Sequence, residues 1–529
     1  MIYLLLASLY LVYAPDAAFV SDDWVFLRRF EDARAAGLSA QVEVVASLIR
    51  NELPGQFRFF WLSYLITYIV WLAVGSSAQA LLVVTLVVHT GSAVALRQAF
   101  ERLGISPAGA FLAGALFVLL PSTHGVVFSN LAGAHYLWGT FFAAMYLRSV
   151  ASSFAARRLD HRALAAQAGW VLLMVFSADA AFGVVLFGAP VLAWFLRSRA
   201  GLRAALAAWA TAAVAVAGYT LWINRAPIGT AVGLRFEFSL TQVARNLAAS
   251  LHGLSRTTGF VQDSFYHLQA TPTALAAALA AAGLLWWLLR RIPAEGSDPG
   301  RTFLLATALW LAARGPTLLL RTAEFRYEYL PTPFLALTLA LLIGTAGRHR
   351  LTLTAALVAF TTLASVNDIE QSWVPQSRRL QALAAGLRQL RPVEPGDHII
   401  VPDIPLWIGT APHFAFQGSW ASTAFCELTT GVRRLETAVD IVREGPVLRA
   451  IHFDTSRLLD PAALARTWVL AHDPGGNVRP RYLAAEAIGP DAFRLWPLRG
   501  YQGPPVPDRP VRGEQLALHE GRIYLIRPH

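Results

Sequence analysis

Long apolar runs alternate with short polar segments over the first two thirds of the chain. Many of these runs approach or reach the ~20 residues with which an α-helix crosses a bilayer. The predicted spans are the runs 2–18, 78–97, 106–121, 135–151, 164–178, 180–196, 203–222, 272–290, 302–320, 329–346 and 350–366. The pattern therefore predicts a mainly α-helical, polytopic membrane protein with about eleven transmembrane helices.

Arginines occupy every second loop between the predicted spans. The basic loops hold Arg97 and Arg102, then Arg148, Arg157, Arg158 and Arg162, then Arg197, Arg199 and Arg203, then Arg290, Arg291 and Arg301, then Arg348 and Arg350. Cytoplasmic loops carry an excess of basic residues. All five loops fall on the cytoplasmic side if the first helix starts there, so we expect a cytoplasmic N-terminus and an outer C-terminus.

Two apolar runs need a separate interpretation. Counting 58–74, "RFFWLSYLITYIVWLAV", as a span would reverse every later loop, so this run is predicted to lie in the outer interface. The first outer loop is then 15–77. No positively charged segment precedes run 2–18, which favours an uncleaved helix over the alternative of a signal peptide.

The pattern changes after Val366. The segment "NDIEQSWVPQSRRLQALAAGLRQL" predicts an amphipathic helix, "HIIVP" predicts a strand, and the chain ends on the strand-like "RIYLI". We therefore predict two regions, a transmembrane domain at 1–366 and a small α/β domain at 370–529 on the outer face.

Composition supports the membrane prediction and excludes several chemistries. Charged residues make up 15% of the chain, against about 25% in soluble domains, and the mean hydropathy is +0.47. The net charge of +11 comes from arginines that topology explains, so we do not infer nucleic-acid binding. The absence of lysine excludes a Schiff base and a lysine-containing phosphate loop. With Cys426 as the single cysteine, an intrachain disulfide is also excluded.

Ionisable side chains collect on the predicted outer face. They are Asp22 and Asp23 after the first span, then His124, His135, Tyr136, Asp179, Arg225, His252, Arg256, Asp263, His267, Arg314, Arg321, Glu324, Arg326 and Tyr327. Such groups at membrane depth usually line a wet cavity or pair with one another. Sugar transfer from a lipid-linked phosphate would use a carboxylate as base and cations for the departing phosphate.

Several segments resemble the GT-C superfamily of polyprenyl-phosphate-dependent glycosyltransferases, which includes protein O-mannosyltransferases and the lipid A aminoarabinose transferase. The resembling segments, within 1–375, are "SDDW", "GQFRFFWLSYLI", "HTGSAVALRQAFERLGISPAGAFLAGALFVLLPSTHGVVF" and "EFRYEYLPTPFLAL". The resemblance implies an acidic pair in the first outer loop, with Asp22 as the catalytic carboxylate and Asp23 as its neighbour. It also implies a donor bound between this loop and late helices, with Arg326 as a phosphate ligand.

Other site candidates come with structural alternatives. Arg314, Arg321 and Arg58 are further phosphate candidates, although each could pair with a headgroup or a neighbouring side chain. The cavity-lining candidates are His124, His135, Asp179 and Tyr327, and hydrogen-bonded packing is the alternative for the histidines. Asp22 and Asp23 could also cap a helix. Some GT-C enzymes use a divalent metal, but the ligand spacing here is not diagnostic and we assign none.

These observations predict an inverting glycosyltransferase, hexosyl or pentosyl, of the cell inner or plasma membrane. Its partners would be membrane lipids, a polyprenyl-phosphate sugar donor and a protein, lipid or glycan acceptor. The alternatives are a transporter or flippase of a lipid-linked substrate, and a non-catalytic polyprenyl-lipid-binding protein of the cell envelope. Polar groups at one surface rather than at mid-membrane disfavour transport.

Overall fold

The computed structural model describes much of the chain. The described residues are 2–20, 22–50, 61–156, 160–178, 181–196, 199–219, 221, 239–252, 271–292, 298–318, 328–389, 393–400, 419–438 and shorter segments between 441 and 526. They form two compact units. The helical unit comprises Met1–Ala17, Asp32–Val374 and Thr410–Pro412, and the mixed unit comprises Ala18–Glu31, Pro375–Gly409 and His413–His529.

Helices dominate the described residues. They are α1 (Ile2–Leu11), α2 (Asp23–Ala36), α3 (Leu38–Arg50), α4 (Trp61–Val74), α5 (Ala78–Arg102), α6 (Pro107–Leu119), α7 (His124–Val127), α8 (Ala134–Ala155), α9 (His161–Val175), α10 (Ala189–Leu196), α11 (Arg199–Gly218), α12 (Leu240–His252), α13 (Pro272–Leu289), α14 (Pro299–Leu318), α15 (Thr332–Gly344), α16 (Arg350–Asp368), α17 (Val374–Gln389) and α18 (Ser419–Thr430). Two π-helical segments, Val184–Gly188 and Ile369–Trp373, lead into α10 and α17.

Polar residues between the apolar runs set where these helices begin. The side chains of Ser77, Asp160 and Thr271 accept hydrogen bonds from backbone N–H groups in the first turns of α5, α9 and α13. Ser106 does the same for α6, which has Pro107 at its first position. A short side-chain acceptor satisfies an N–H group that has no partner within the helix, so these residues favour a helix start.

The number of candidate spans is smaller than the sequence predicts. Among the described residues, four helical stretches are long and apolar enough to cross a membrane, Ala78–Arg102, Gly201–Gly218, Pro272–Leu289 and Gly347–Arg388. The pair Pro107–Leu119 and Pro121–Val127, bent by 57°, would make a fifth. The prediction of about eleven spans is therefore wrong in number.

Short helices account for part of the difference. Helices of 10–17 residues occur at Ile2–Leu11, Val184–Leu196 and Thr332–Gly344, inside predicted spans that are longer than the helices themselves. The helix in run 106–121 stops before Pro121, because proline lacks the N–H group that would continue the hydrogen-bond ladder. Hydropathy counts apolar residues whether or not the backbone continues as one helix.

The first and third predicted spans run parallel in the helical unit. The Tyr3 hydroxyl donates to the Phe111 carbonyl at 3.1 Å, and the Tyr10 hydroxyl donates to the Val118 carbonyl at 2.6 Å. Both numbers increase together, so α1 and α6 point the same way, as two spans separated by one intervening span should. Gly114 permits this approach, since a Cβ there would lie 2.5 Å from the Tyr3 hydroxyl.

The mixed unit contains all the described strands. Three form a parallel sheet in the order β2 (Glu436–Ala438), β1 (His398–Ile400), β5 (Thr467–Val469). A six-stranded sheet has the order β10 (Val511–Arg512), β9 (Ala492–Pro497), β8 (Leu483–Gly489), β11 (Ile523–Ile526), β4 (Val447–Ala450), β3 (Ile441–Glu444). β6 (Ala471–His472) and β7 (Val478–Arg479) form an antiparallel pair. The strands predicted from "HIIVP" and "RIYLI" are confirmed as β1 and β11.

Candidate functional site

The acidic pair lies at the start of α2. The Asp22 carbonyl accepts hydrogen bonds from the N–H groups of Val25, at 3.0 Å, and Phe26, at 3.3 Å. Asp22 is therefore the N-cap residue of the helix, and Asp23 is its first residue. Carboxylates are favoured at this end because the helix dipole is positive there.

The two carboxylates have different environments. Asp23 is fully buried, and its Oδ2 accepts from the Val20 N–H at 3.2 Å while its own N–H donates to the Val20 carbonyl at 3.0 Å. Asp23 thus closes the turn that leads into the helix. Asp22 is only partly buried. Of the two residues, Asp22 is the more exposed.

The beginning of α2 packs against α18 within the mixed unit. The Trp24 ring makes edge-to-face contacts with Phe19, at 5.5 Å between centroids, and with Phe425, at 4.8 Å. One turn later, Arg28 Nε lies 2.9 Å from Glu427 Oε2, and the Glu427 side chain is only 2% exposed. A helix from the C-terminal part of the chain therefore holds the segment that carries the acidic pair.

Sequence analysis did not identify the Arg28–Glu427 pair, because no motif links residues so far apart in the chain. Glu427 is also anchored locally. Its Oε1 accepts from the Leu435 N–H at 3.1 Å, and its carbonyl accepts from Arg433 at 3.1 Å. One contact thus fixes the carboxylate that pairs with Arg28, and the other fixes the backbone of the same residue.

His124, a predicted cavity-lining residue, belongs to a buried hydrogen-bond network. Its Nδ1 lies 2.6 Å from Asp368 Oδ2 and its Nε2 lies 3.1 Å from Ser365 Oγ. Trp373 Nε1 donates to the same Asp368 oxygen at 3.2 Å. The order serine, histidine, aspartate is that of a nucleophile with its base. Ser365, His124 and Asp368 are at most 1% exposed, however, so the network serves packing between α7 and α16.

His135 is also buried in contacts with aromatic side chains. Its Nδ1 lies 3.4 Å from the Tyr64 hydroxyl, and its ring lies 3.9 Å from that of Tyr136, between centroids. These contacts join the start of α8 to the start of α4. Both helix starts fall on the side that the arginine pattern predicts to be outer.

Arg314 is completely buried near the end of α14, and an acid partners it there. Its Nη2 lies 2.6 Å from Glu328 Oε1 and 3.2 Å from the Asn246 carbonyl oxygen. Its Nη1 donates to Thr317 Oγ1 at 2.6 Å. The charge of Arg314 is therefore balanced by Glu328, a residue inside the quoted "EFRYEYLP" segment that sequence analysis did not select.

A second carboxylate that the sequence analysis missed joins three helix ends. Glu370 lies in the π-helical segment after α16. Its Oε1 accepts from the Tyr13 hydroxyl at 3.0 Å, and its Oε2 accepts from Thr271 Oγ1 at 2.8 Å. The π-helical turn between α16 and α17 carries both this carboxylate and Trp373 inward; such turns occur frequently at functional sites.

Several predicted site residues fall in parts of the chain that the structure does not describe. Arg58, Asp179, Arg321, Arg326 and Tyr327 lie outside the described residues. Within the described part of the chain, no three histidine, cysteine or acidic side chains are grouped so that they could hold a metal ion.

Comparisons with known proteins give remote structural neighbours. No protein-family model and no curated protein matches the sequence. A solved structure of the Archaeoglobus fulgidus oligosaccharyltransferase, in complex with Zn and sulfate, is 13% identical with a TM-score of 0.43, over 82% of this chain and 62% of that one. The arabinofuranosyltransferase AftD from Mycobacteria is 16% identical with a TM-score of 0.38, over 85% of this chain and 33% of that one.

By name, one neighbour is an oligosaccharyltransferase and the other is an arabinofuranosyltransferase. Other structures of the archaeal enzyme contain a dolichol-phosphate with an inhibitory peptide, or a tethered acceptor peptide. This chain spans less than two thirds of either neighbour's length. Both superpositions are partial, and both TM-scores lie below 0.5.

Proposed function

We propose that this chain is an inverting membrane glycosyltransferase. It would move a sugar from a polyprenyl-phosphate donor to an acceptor hydroxyl on the outer face of the membrane. The observation that supports this best is the pair at the start of α2, where a partly exposed Asp22 stands beside a buried Asp23 that shapes the turn. A base must reach its substrate, and a fixed backbone directs it there.

In this proposal Asp22 takes the proton from the acceptor hydroxyl. The acceptor oxygen then forms a bond to the anomeric carbon, while the bond from that carbon to the phosphate oxygen breaks. The polyprenyl phosphate leaves with the bonding electrons, and a single displacement inverts the anomeric centre. The positive end of α2 favours the ionised carboxylate that this step requires.

The departing phosphate needs positive charge nearby. The arginine candidates differ in how well they are suited to supply it. Arg326, Arg321 and Arg58 remain proposed ligands on the basis of the sequence. Arg314 is already paired with Glu328, so it would have to exchange that carboxylate for the phosphate. We therefore rank Arg314 last among the phosphate candidates and treat it first as a structural residue.

The remaining assignments follow the arginine pattern. The N-terminus would be cytoplasmic, the first outer loop and the C-terminal region would be extracytoplasmic, and the acceptor would be a protein, lipid or glycan hydroxyl. His135, Asp179 and Tyr327 stay candidates for the cavity wall, whereas we assign His124 to packing. A divalent metal is compatible with this chemistry, and assays should include one.

The proposal can be tested without knowing the sugar. The full chain in nanodiscs is given a panel of polyprenyl-phosphate-linked hexoses and pentoses with envelope extracts as acceptors, and polyprenyl phosphate release is measured. Asp22→Asn should lower turnover by about 10²- to 10⁴-fold, the usual contribution of a positioned base, and should leave donor binding intact.

A matched variant on the same helix controls for the loss of charge. Asp32→Asn removes a carboxylate from α2 ten residues after Asp22, and it should retain wild-type turnover. Equal turnover of the Asp22→Asn variant and the wild type would refute Asp22 as the base. Mass spectrometry of envelope glycans from cells lacking the gene would then identify the sugar and the acceptor.

Transport of a lipid-linked substrate is the second candidate. The 57° bend between Pro107–Leu119 and Pro121–Val127 favours it, because discontinuous helices are common in transporters. A transporter would move a fluorescent lipid-linked sugar across liposomes without releasing polyprenyl phosphate. A transferase would release the phosphate and depend on Asp22.

A further inference from the structure

A groove opens where four helices of the helical unit end. It is a small groove between the start of α6, the end of α13, the end of α15 and the start of α16. The arginine pattern predicts this end to be cytoplasmic. We call it the inner groove, and its walls include Ser106, Leu112, Leu289, Leu341, Arg350 and Thr354.

Thr354 brings a buried hydroxyl to the inner groove. The residue is 1% exposed, and its Oγ1 has no hydrogen-bond partner among the described residues. A threonine within a helix ordinarily donates to a backbone carbonyl of the preceding turn. A buried hydroxyl without a hydrogen-bond partner costs free energy. Its presence in a groove wall therefore indicates a ligand that accepts its hydrogen bond.

Arg350 brings an uncompensated positive charge to the same groove. Its side chain is partly exposed, and no ion pair of Arg350 occurs within the described part of the chain. It is the first residue of α16, where the helix dipole disfavours a cation. The start of α6 also faces the groove, and none of the lining residues is acidic. The site is therefore suited to an anion.

The surroundings indicate that the anion belongs to a lipid. Leu112, Leu289 and Leu341 supply apolar walls. At the adjoining end of α13, the Arg290 guanidinium lies 4.2 Å from the Trp286 ring centroid, and Arg291 lies 4.0 Å from that of Trp287. Partly exposed tryptophans beside arginines are typical of the membrane–water interface.

We propose that the inner groove binds the phosphate of an anionic phospholipid. Arg350 pairs with the phosphate, the Thr354 hydroxyl donates to one of its oxygens, and an acyl chain follows the leucine wall. A zwitterionic lipid would bring its ammonium group close to Arg350 with no groove carboxylate to receive it. The site should therefore prefer phosphatidylglycerol to phosphatidylcholine, independently of sugar transfer.

The test measures lipid retention by the full chain in native mass spectrometry titrations. The wild type should retain phosphatidylglycerol and not phosphatidylcholine. Arg350→Gln should weaken retention roughly tenfold, as expected for loss of one charge-assisted hydrogen bond. Thr354→Val, which is nearly isosteric, should weaken retention several-fold without lowering the unfolding temperature of the lipid-free protein.

The matched control is Arg348→Gln, which removes a neighbouring arginine that does not line the groove. It should retain the lipid as the wild type does. Equal loss in Arg348→Gln and Arg350→Gln would show diffuse attraction and would overturn the site. Wild-type affinity in Thr354→Val, equal retention of phosphatidylcholine, or displacement of the lipid by inorganic phosphate would each overturn it as well.

Discussion

At the residue scale, adjacent or similar side chains have different roles because their surroundings differ. Asp22 and Asp23 are chemically identical neighbours, yet one is partly exposed and the other closes a turn. Arg314 was a phosphate candidate, but the guanidinium lies in a fully buried ion pair with Glu328. Burial of both partners makes each dependent on the other.

The Arg314–Glu328 pair leads to a stability prediction. Glu328→Gln removes the carboxylate that pairs with a fully buried guanidinium and should destabilise the protein by about 3–5 kcal/mol. The double change Arg314→Met with Glu328→Leu removes both charges and should cost much less. Thermal unfolding of the three variants in one detergent checks this, and a double variant as unstable as the single one would contradict it.

Cys426 lies fully buried in α18, next to Glu427. Burial, with a smaller contribution from the Glu427 carboxylate, raises the pKa of the Cys426 thiol well above its ordinary value. The folded protein should resist maleimide even at pH 9, and denatured protein should react. The unfolded chain ionises first as pH rises, so this group's contribution to stability is present below the ordinary thiol pKa and declines above it.

At the element scale, α18 packs directly against the first turns of α2. They meet through Trp24 with Phe425 and through Arg28 with Glu427. Asp22 and Asp23 lie six and five residues before Arg28, so the position of α18 bears directly on Asp22. This gives the C-terminal region a concrete role in our proposal, as support for the catalytic segment.

Charge reversal tests that support. Arg28→Glu and Glu427→Arg should each lower polyprenyl phosphate release, mainly through turnover, because neither side chain is proposed to touch the substrate. Combining the two changes restores opposite charges and should recover part of the activity. Hydrogen exchange of α2 reports the same effect independently of catalysis, and unchanged exchange in both single variants would speak against the pair as a support.

At the scale of the whole molecule, contacts between helices of the helical unit give their relative directions. α1 and α6 run parallel through the Tyr3 and Tyr10 contacts. α13 and α16 run antiparallel, since Thr271 at the start of α13 bonds Glu370 just beyond α16, while Leu289 and Arg350 meet at the inner groove.

Cysteine labelling in vesicles can test this topology. Because Cys426 should not react, the wild type provides a silent background. Ala36→Cys, exposed in the predicted outer loop, should react with an impermeant maleimide added outside right-side-out vesicles. Ala156→Cys, exposed in a predicted cytoplasmic loop, should react only after permeabilisation. The reverse pattern would invert the proposed orientation and place Asp22 in the cytosol.

The sequence by itself determined the features that depend on local composition. Apolar runs showed where most of the helices form. The strand at "HIIVP" was also predictable, since a short apolar segment between turn residues favours β-structure. Hydropathy overestimated the number of spans, because it does not register helix ends such as the one before Pro121.

Only the tertiary structure decided which buried polar groups meet. Arg314 pairs with Glu328, His124 with Asp368 and Arg28 with Glu427. In each pair the two residues lie in different segments of the chain. The physical reason is that a buried charge gains its partner only after packing has excluded water, and the geometry of that packing depends on the whole chain. From the sequence one can predict that a buried arginine requires an anionic partner. The fold determines which residue is that partner.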